Sequence, residues 1–584
     1  MVVLSHQWSL PGGIPRGHRK LSFLGCWRVI TSCSVHGLPQ GRRYGAHRTL
    51  GAHLFIRSIS AKPGVMALRS RFQLQDLLSV LILATASGSL VLVATSSGPG
   101  ISPDSISYVS GARSLAAGNG VLDYTGDHLS TFPPGLSILM SLLLRVGLDL
   151  EVAAIALNLI MLTATVALSY VLACLTLRDR LWAVFVTAAF IVSRATIEIF
   201  SMVWSEPVFT PLALATMILL VVGYKRRNIS MAIACAVGVM TAVAVSVRYS
   251  GALLVVASAL VVVFTPPKRL DRKLVRGAVL VIPSLIVLGV VGTLNRAQGD
   301  GYFGARYLSS QSLQGSIESV VDAIGSTLIW RGTTSVTILV GSVVVTMAVV
   351  GAWWGLIRRK SSIVLAIFTG IYLVGISVSQ SSTRLDDASE RLGYPVYLPL
   401  LILAAWGVRV MMTTVRSQMH SRWPSLTPQA LRALTVAPAA LLAVVIVTVG
   451  FVNALRFGTQ GYGEGIGYNS RTVSQSTQAR LFIDIPPTET VASNEPWLVY
   501  WLRPDAKSLP LPPSPNEWPQ ERLERDQQRI EEELTKDPEI WGVVIGEGSD
   551  IREPIESPSF SATVVTQDRS VDADTLTLYR IQRR

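Results

Sequence analysis

Six ionisable residues stand where an apolar chain has least reason to keep them: Asp104, Arg194, Glu198, Glu206, Arg248 and Arg391, each near the end of a long hydrophobic run. Charged groups within or at the ends of membrane helices are costly and are functional candidates by default. A carboxylate so placed can take a proton from a reacting group. An arginine offers a planar, permanently charged fork that matches phosphate oxygens. Asp104 is the one acid of "SGPGISPDSISYVSGARSLAAGNG", residues 97 to 120.

Each of these residues also has a purely structural reading. Arg194 and Glu198 are four apart and can pair along one helix. Asp104 sits in Pro-Asp-Ser, which suits a turn or the N-cap of a short helix over "SISYVSGARSLAAG". In "LDYTGDHLST", Asp123, Asp127 and His128 read as solvated loop residues, since one histidine with flanking acids is weak metal-site chemistry.

The elements that must position these groups are membrane helices. Half of the 584 residues are hydrophobic and 15% are charged, with mean hydropathy +0.45. Eleven apolar stretches approach the roughly 20 residues needed to span a bilayer: 77 to 95, 152 to 176, 181 to 200, 205 to 223, 229 to 247, 250 to 266, 277 to 294, 332 to 356, 361 to 380, 391 to 408 and 433 to 453. With a cytoplasmic N-terminus, alternation puts "RDR" at 178, "YKRRN" at 224, "PPKRLDRK" at 266, "RRK" at 358 and the stretch 409 to 432 on the cytoplasmic side, as basic loops prefer. The acid-bearing loops then face out, and the six residues gather at the outer face. "FPPGLSILMSLLLRVG", residues 132 to 147, is too short to span and reads as an outer interfacial or re-entrant helix begun by Pro133 and Pro134.

Residues 455 to 584 change character. "NEWPQERLERDQQRIEEELTK" is helix-like and "WGVVIG", "SATVVTQ" and "TLTLYRI" are strand-like, so a soluble α/β extracytoplasmic domain is expected. Residues 1 to 65 carry no acid but many Arg, Lys and His. They read as a disordered basic tail or an over-extended start, with the working chain beginning at Met66, although a transit peptide shares the composition. Three parts result: 1 to 65, a membrane catalytic domain over 66 to 454, and 455 to 584. The net charge of +14 is explained by basic cytoplasmic loops, so nucleic acid is not an expected partner. Cys26, Cys33, Cys174 and Cys235 show neither CxxC nor Cys/His metal spacing.

The order of the motifs is informative: "PDSISYVSGARSLAAGNG", then "STFPPGLSILMSLLLRVG", "WSEPVFTPLALA", "SVRYSGALLV" and "SERLGYPVYLPLLILAAWG". Over roughly residues 70 to 410 this order resembles the GT-C superfamily of integral-membrane glycosyltransferases, in particular bacterial relatives of the dolichyl-phosphate-mannose protein mannosyltransferases (family 39) and of lipid A aminoarabinose transferase. "VASNEPWLVYWLRPDAKSLPLP" is similar to the extracytoplasmic tails of some members. The span count gives a multi-pass α-helical membrane bundle of about eleven transmembrane helices with outer interfacial helices. The resemblance implies an inverting hexosyl- or pentosyltransferase in the cell membrane that uses a polyprenyl-phosphate-linked sugar.

For such a transfer Asp104 is the expected base, with Asp123 or Glu206 as substitutes. Arg248 and Arg391, with Arg296, Arg306 and Arg384 as secondary choices, are expected to receive the donor phosphate. Tyr108, Tyr249 and Tyr394, with Asp123, His128 and Glu206, are expected around the sugar or acceptor, although interfacial anchoring suits each tyrosine equally. Many members carry a second acid beside the first, whereas Ser105 follows Asp104 here, so no metal or other cofactor is expected. The acceptor can be a lipid, a glycan or a protein. The rival reading is a lipid or sugar transporter or flippase, which predicts midplane charges and broken helices in symmetric halves. An O-antigen-ligase-like enzyme would instead place its large catalytic loop late in the span series.

Overall fold

The structure, a computed structural model, describes residues 74–265, 269–298, 301–304, 309, 311–328, 334–358, 360–383, 390–474, 485–486, 489–504, 506–511, 520–546, 560–569 and 575–584. The basic segment 1 to 65 and Arg306 and Arg384 lie outside the described residues.

Among the described residues, fifteen helices build the membrane part in chain order: α1 (Leu74–Ala94), α2 (Pro103–Ala116), α3 (Gly135–Arg145), α4 (Leu150–Leu177), α5 (Arg180–Ile191), α6 (Arg194–Ser201), α7 (Glu206–Lys225), α8 (Met231–Val247), α9 (Gly251–Phe264), α10 (Leu270–Ala297), α11 (Leu313–Leu328), α12 (Thr334–Ile357), α13 (Ser362–Ser382), α14 (Glu390–Arg422) and α15 (Pro428–Glu464). Over their described residues the eleven expected stretches are mainly helical, 181 to 200 as two helices. Among the described residues, eight helices are long and apolar enough to cross a membrane, and α5 with α6 is a ninth candidate bent by 53°. The bend has a local cause: Ser193 caps α6 by accepting from the Thr196 amide at 3.3 Å, which restarts the helix in a new direction. The stretches 229 to 247 and 250 to 266 form the shorter α8 and α9, of 17 and 14 residues. The Pro-Pro segment forms α3, whose 11 residues extend only about 16 Å at 1.5 Å each.

Apolar side chains such as Leu81, Val290 and Leu441 point outward from the long helices, as lipid contact requires. Inside, small residues let backbones approach. A Cβ on Gly351 of α12 would lie 2.0 Å from the Leu403 carbonyl of α14, and one on Gly407 of α14 would lie 2.0 Å from the Met347 carbonyl. The two helices therefore interlock through reciprocal glycines.

Basic residues finish the end of the bundle opposite α2. Lys225 donates to the Leu175 carbonyl and Arg409 to the Leu177 carbonyl at 2.8 Å, covering the C-terminal carbonyls of α4. Asp76, buried in the first turn of α1, accepts from the Tyr170 hydroxyl at 2.6 Å and pairs with Arg180 at 3.3 Å.

After α16 (Arg471–Ser474) comes the C-terminal domain: β1 (Thr490–Ser493), α17 (Pro496–Leu502), β2 (Lys507–Pro510), α18 (Gln520–Lys536), β3 (Glu539–Gly546), β4 (Phe560–Arg569) and β5 (Thr575–Arg583). The sheet order is β2-β1-β3-β5-β4, with β1 parallel to β2 and β3, and β5 antiparallel to β3 and β4. Alternation along the strands serves both faces. Ala492 and Ile540 pack with Ile530 and Leu534 of α18 on one side, while Val491 and Val543 pack with Val499 of α17 on the other.

The domain is fastened to the α2 end of the bundle. Asn469 donates to the Pro99 carbonyl at 2.7 Å and accepts from Trp501 of α17 at 3.1 Å. Gly467, at φ +59°, bridges to Ile101, whose carbonyl would meet an added Cβ at 2.0 Å. Only glycine suits that position.

Candidate active site

The helix that carries Asp104 begins with a capping box: Ser102 accepts from the Ser105 amide while Ser105 Oγ accepts from the Ser102 amide at 3.0 Å. Ser102, not Asp104, is thus the N-cap. Asp104 stands in the first turn, where the positive end of the helix dipole favours a carboxylate, and its oxygens remain available to other partners.

Its partner comes from the far end of the chain. Arg391, at the start of α14, donates from Nη1 to Asp104 Oδ2 at 2.5 Å and from Nε to Glu206 Oε1. Arg248, the C-cap of α8, reaches the same Glu206 Oε1 from Nη1 at 2.5 Å. Glu206 is fully buried at the start of α7, and its position between two guanidiniums offsets both its own desolvation and their repulsion. The four side chains sum formally to zero charge. Asp104 is the most accessible, with its side chain 28% exposed against 16% for Arg391 and 13% for Arg248.

Two neighbours hold this cluster in register. Ser205 Oγ accepts from the Tyr108 hydroxyl at 3.1 Å and from Arg248 at 3.0 Å, leaving its proton for Glu206 at 3.4 Å. That uses the full capacity of one hydroxyl. The Arg391 guanidinium lies 4.2 Å from the centre of the Trp204 ring, and Trp204 Nε1 donates to Ser102 Oγ at 2.8 Å. Burial holds the Tyr108 phenol above the ordinary tyrosine range, with Arg248 opposing and Asp104 and Glu206 adding to the effect. Tyr108 is therefore a neutral donor.

A cleft of about 220 Å³ opens beside Asp104. One wall is the loop after α2, with Asp123, Asp127 and His128; the other is the C-terminal domain, with Trp497, Arg525 and Arg529. Asp123 organises a turn, accepting from the Thr125 amide and hydroxyl at 2.8 and 2.6 Å and from the Asp127 amide at 3.2 Å. Its burial raises the carboxyl above the usual range despite those donors. Asp127 pairs with Arg529 of α18.

The remaining expected residues lie elsewhere. Tyr394 is buried in the core, stacked on Phe190 with ring centres 5.1 Å apart and its hydroxyl 3.0 Å from Thr196. It does not line the cleft, because one turn beyond Arg391 the helix has already entered the bundle. Tyr249 ties the first loop down, donating to the Ser130 carbonyl at 3.1 Å and accepting from Asn295 at 3.0 Å. Arg296 is exposed, with its guanidinium 5.7 Å from the Tyr302 ring. Arg194 and Glu198 form the expected i, i+4 pair at 3.3 Å. Among the described residues no group of three or more His, Cys, Asp or Glu is placed to hold a metal ion. Ser205 and Trp204 were not singled out by sequence, although both flank Glu206 in the "WSEP" stretch. Trp497 and the arginines of α18 carried no such signal.

No protein-family model matches the chain, and no curated protein sequence does either. Solved structures do match in fold. Crystal structures of ArnT from Cupriavidus metallidurans, in the apo state and bound to undecaprenyl phosphate, both give a TM-score of 0.53, at 14% and 15% identity. These alignments cover 86% and 85% of this chain and 97% of ArnT. Archaeal oligosaccharyltransferase AglB from Archaeoglobus fulgidus, in complex with an inhibitory peptide and a dolichol-phosphate, gives 0.51 at 12% identity, covering 81% of this chain and 69% of AglB. The chain shares its fold with ArnT and AglB. The uncovered share of this chain is smaller than the C-terminal domain, so the alignment takes in part of that domain as well as the helical bundle. At this identity the likeness speaks for the fold alone, and individual residues must be argued from their own surroundings.

Proposed function

We propose that this chain is a glycosyltransferase that moves a sugar from a polyprenyl-phosphate-linked donor to an acceptor at the outer face of the cell membrane. The observation that carries the reading is the convergence of Asp104, Glu206, Arg248 and Arg391 at the end of the bundle beneath the C-terminal domain. It occurs on a fold shared with a protein solved with undecaprenyl phosphate and another solved with a dolichol-phosphate. These four charges gather at one end of the bundle, unlike the midplane site of a transporter.

The acceptor hydroxyl gives its proton to the Asp104 carboxylate as its oxygen bonds to the anomeric carbon from the face opposite the phosphate. The bond from that carbon to the phosphate oxygen breaks, and the polyprenyl monophosphate leaves with the electron pair. Arg248 and Arg391 receive its charge. A phosphate arriving at Arg391 competes with Asp104 for Nη1, which frees the carboxylate to act as base. Glu206 keeps both guanidiniums oriented between turnovers.

Full-length protein in liposomes is incubated with radiolabelled polyprenyl-phosphate sugars and membrane acceptors. Asp104→Asn should lower transfer by roughly 10²- to 10⁴-fold while leaving the fold intact. Wild-type transfer by a folded Asn variant would remove Asp104 from the mechanism, and passage of uncleaved donor across the bilayer would point to a transporter instead.

A further inference from the structure

The cleft beside Asp104 has two walls from distant parts of the chain, and its lining has a distinctive chemistry. Its charges are largely countered within the protein. Asp104 is held by Arg391, while Asp127 and Asp526 both face Arg529, the latter at 3.8 Å. A polyanionic ligand would meet four acids and two arginines in the lining, and a polycation would find the carboxylates already engaged, Asp123 by the Thr125 amide and hydroxyl and the Asp127 amide. An acyl chain would need a continuous apolar wall, whereas here acids, arginines, serines and threonines interrupt the apolar surface of Pro103, Tyr124, Phe132 and Trp497. What the lining does offer is many hydrogen-bonding groups of both kinds beside three aromatic rings, Tyr124, Phe132 and Trp497. Trp497 is the largest of these, and its centre lies 6.0 Å from that of Tyr124 in an edge contact.

Those features match a neutral polyhydroxyl ring. Sugar hydroxyls donate to carboxylates and accept from guanidiniums, and the C–H face of a sugar packs on an indole. A space of about 220 Å³ is smaller than the roughly 300–1,000 Å³ of typical small-molecule sites and suits a single sugar unit projecting from a longer glycan.

We infer that this cleft binds a neutral glycan as the acceptor, with Trp497 of the C-terminal domain as the stacking platform and Arg525 and Asp526 of α18 fixing its hydroxyls. The inference rests on the proposed reaction for the role of Asp104, the base that an acceptor hydroxyl in this cleft would meet. It assigns the C-terminal domain a part in acceptor choice, since the membrane bundle supplies only one wall.

The full-length protein in lipid nanodiscs, free of sugar-headed detergent, is tested by saturation-transfer NMR without donor. The probes are neutral methyl disaccharides of mannose, glucose, galactose and arabinose, alongside glucosamine 1-phosphate, dodecyl phosphate and a lysine-rich peptide. Saturation should pass to one or more neutral disaccharides, fall about tenfold in affinity in Trp497→Ala and persist in Trp497→Phe. Trp423→Ala, beyond the other end of α14, should bind like the wild type.

Equal signals from wild type and Trp497→Ala, or a preference for a phosphorylated probe or the peptide, would overturn the inference. A chain that binds disaccharides through Trp497 yet never cleaves a polyprenyl-phosphate sugar would leave this site standing and remove the proposed reaction. A chain that cleaves donor while Trp497→Ala binds saccharides unchanged would do the reverse.

Discussion

Arg391 and Asp104 are 287 residues apart in sequence and 2.5 Å apart in the fold. The pair joins the first short helix after α1 to the start of α14, and the same guanidinium also holds the buried Glu206. A single fork therefore sets the geometry of both carboxylates.

Arg391→Lys should lower donor turnover at least about tenfold, because an ammonium cannot span two carboxylates with a planar fork or stack on Trp204 in the same way. Arg391→Ala should also lower stability by about 3–5 kcal/mol, since it strips one cation from a buried carboxylate. Thermal melts and donor turnover on the two variants separate these effects; unchanged turnover in a folded Lys variant would detach Arg391 from the phosphate.

Ser205→Ala removes the hydroxyl shared by Tyr108 and Arg248. A net loss of about 0.5–1.5 kcal/mol per hydrogen bond predicts a modest fall in melting temperature. If Arg248 meets the donor phosphate, the KM for donor should rise more than kcat falls. A kcat effect with KM unchanged would place Arg248 away from the ground-state phosphate.

Tyr394→Phe should cost about 1 kcal/mol of stability through the lost Thr196 contact and leave turnover unaltered. A large fall in turnover without a stability change would return Tyr394 to the sugar pocket.

The C-terminal domain should face outward. A cysteine at exposed Thr535 on α18, in a background with the native cysteines replaced, should react with an impermeant maleimide in intact cells. Protection until the cells are lysed would reverse the orientation and put the site on the cytoplasmic face.

Acid should loosen the same domain. Burial alone would raise the Glu533 carboxyl, but Lys507 and Lys536 outweigh it and hold it below the ordinary glutamate range. A carboxyl depressed in the folded state adds stability above its unfolded pKa, and that stability is lost as pH falls through the folded value. The Glu533→Gln variant should therefore be less stable than the wild type near neutrality, with the gap closing on acidification below about pH 4. Melts of both proteins from pH 7 to pH 3 measure it; a gap that widens with acid would contradict the ion pairing.

Much of this was legible in the residues because its causes are local. Apolar runs must become helices in lipid, so all eleven stretches could be placed by hydropathy, but eleven spans was too many: α8 and α9 are short and 181 to 200 bends into two helices, which leaves eight or nine among the described residues. Strand alternation marked β3, β4 and β5 in the tail. Charges at the ends of those runs were conspicuous because burial makes them expensive, which is how Asp104, Glu206, Arg248 and Arg391 were all found. Their partners were not legible. No sequence rule links residue 104 to 391, because that contact depends on how α2, α7, α8 and α14 converge, and convergence is set by packing summed over the whole bundle. The same limit explains Tyr394, whose neighbour Arg391 is in the site while Tyr394, one helical turn on, faces the core. It also explains Trp497 and Arg525, which look like ordinary surface residues of a soluble domain until tertiary contacts swing that domain over the first loop. Sequence determined which groups had to be paid attention to by solvation cost; only the fold decided which of them meet.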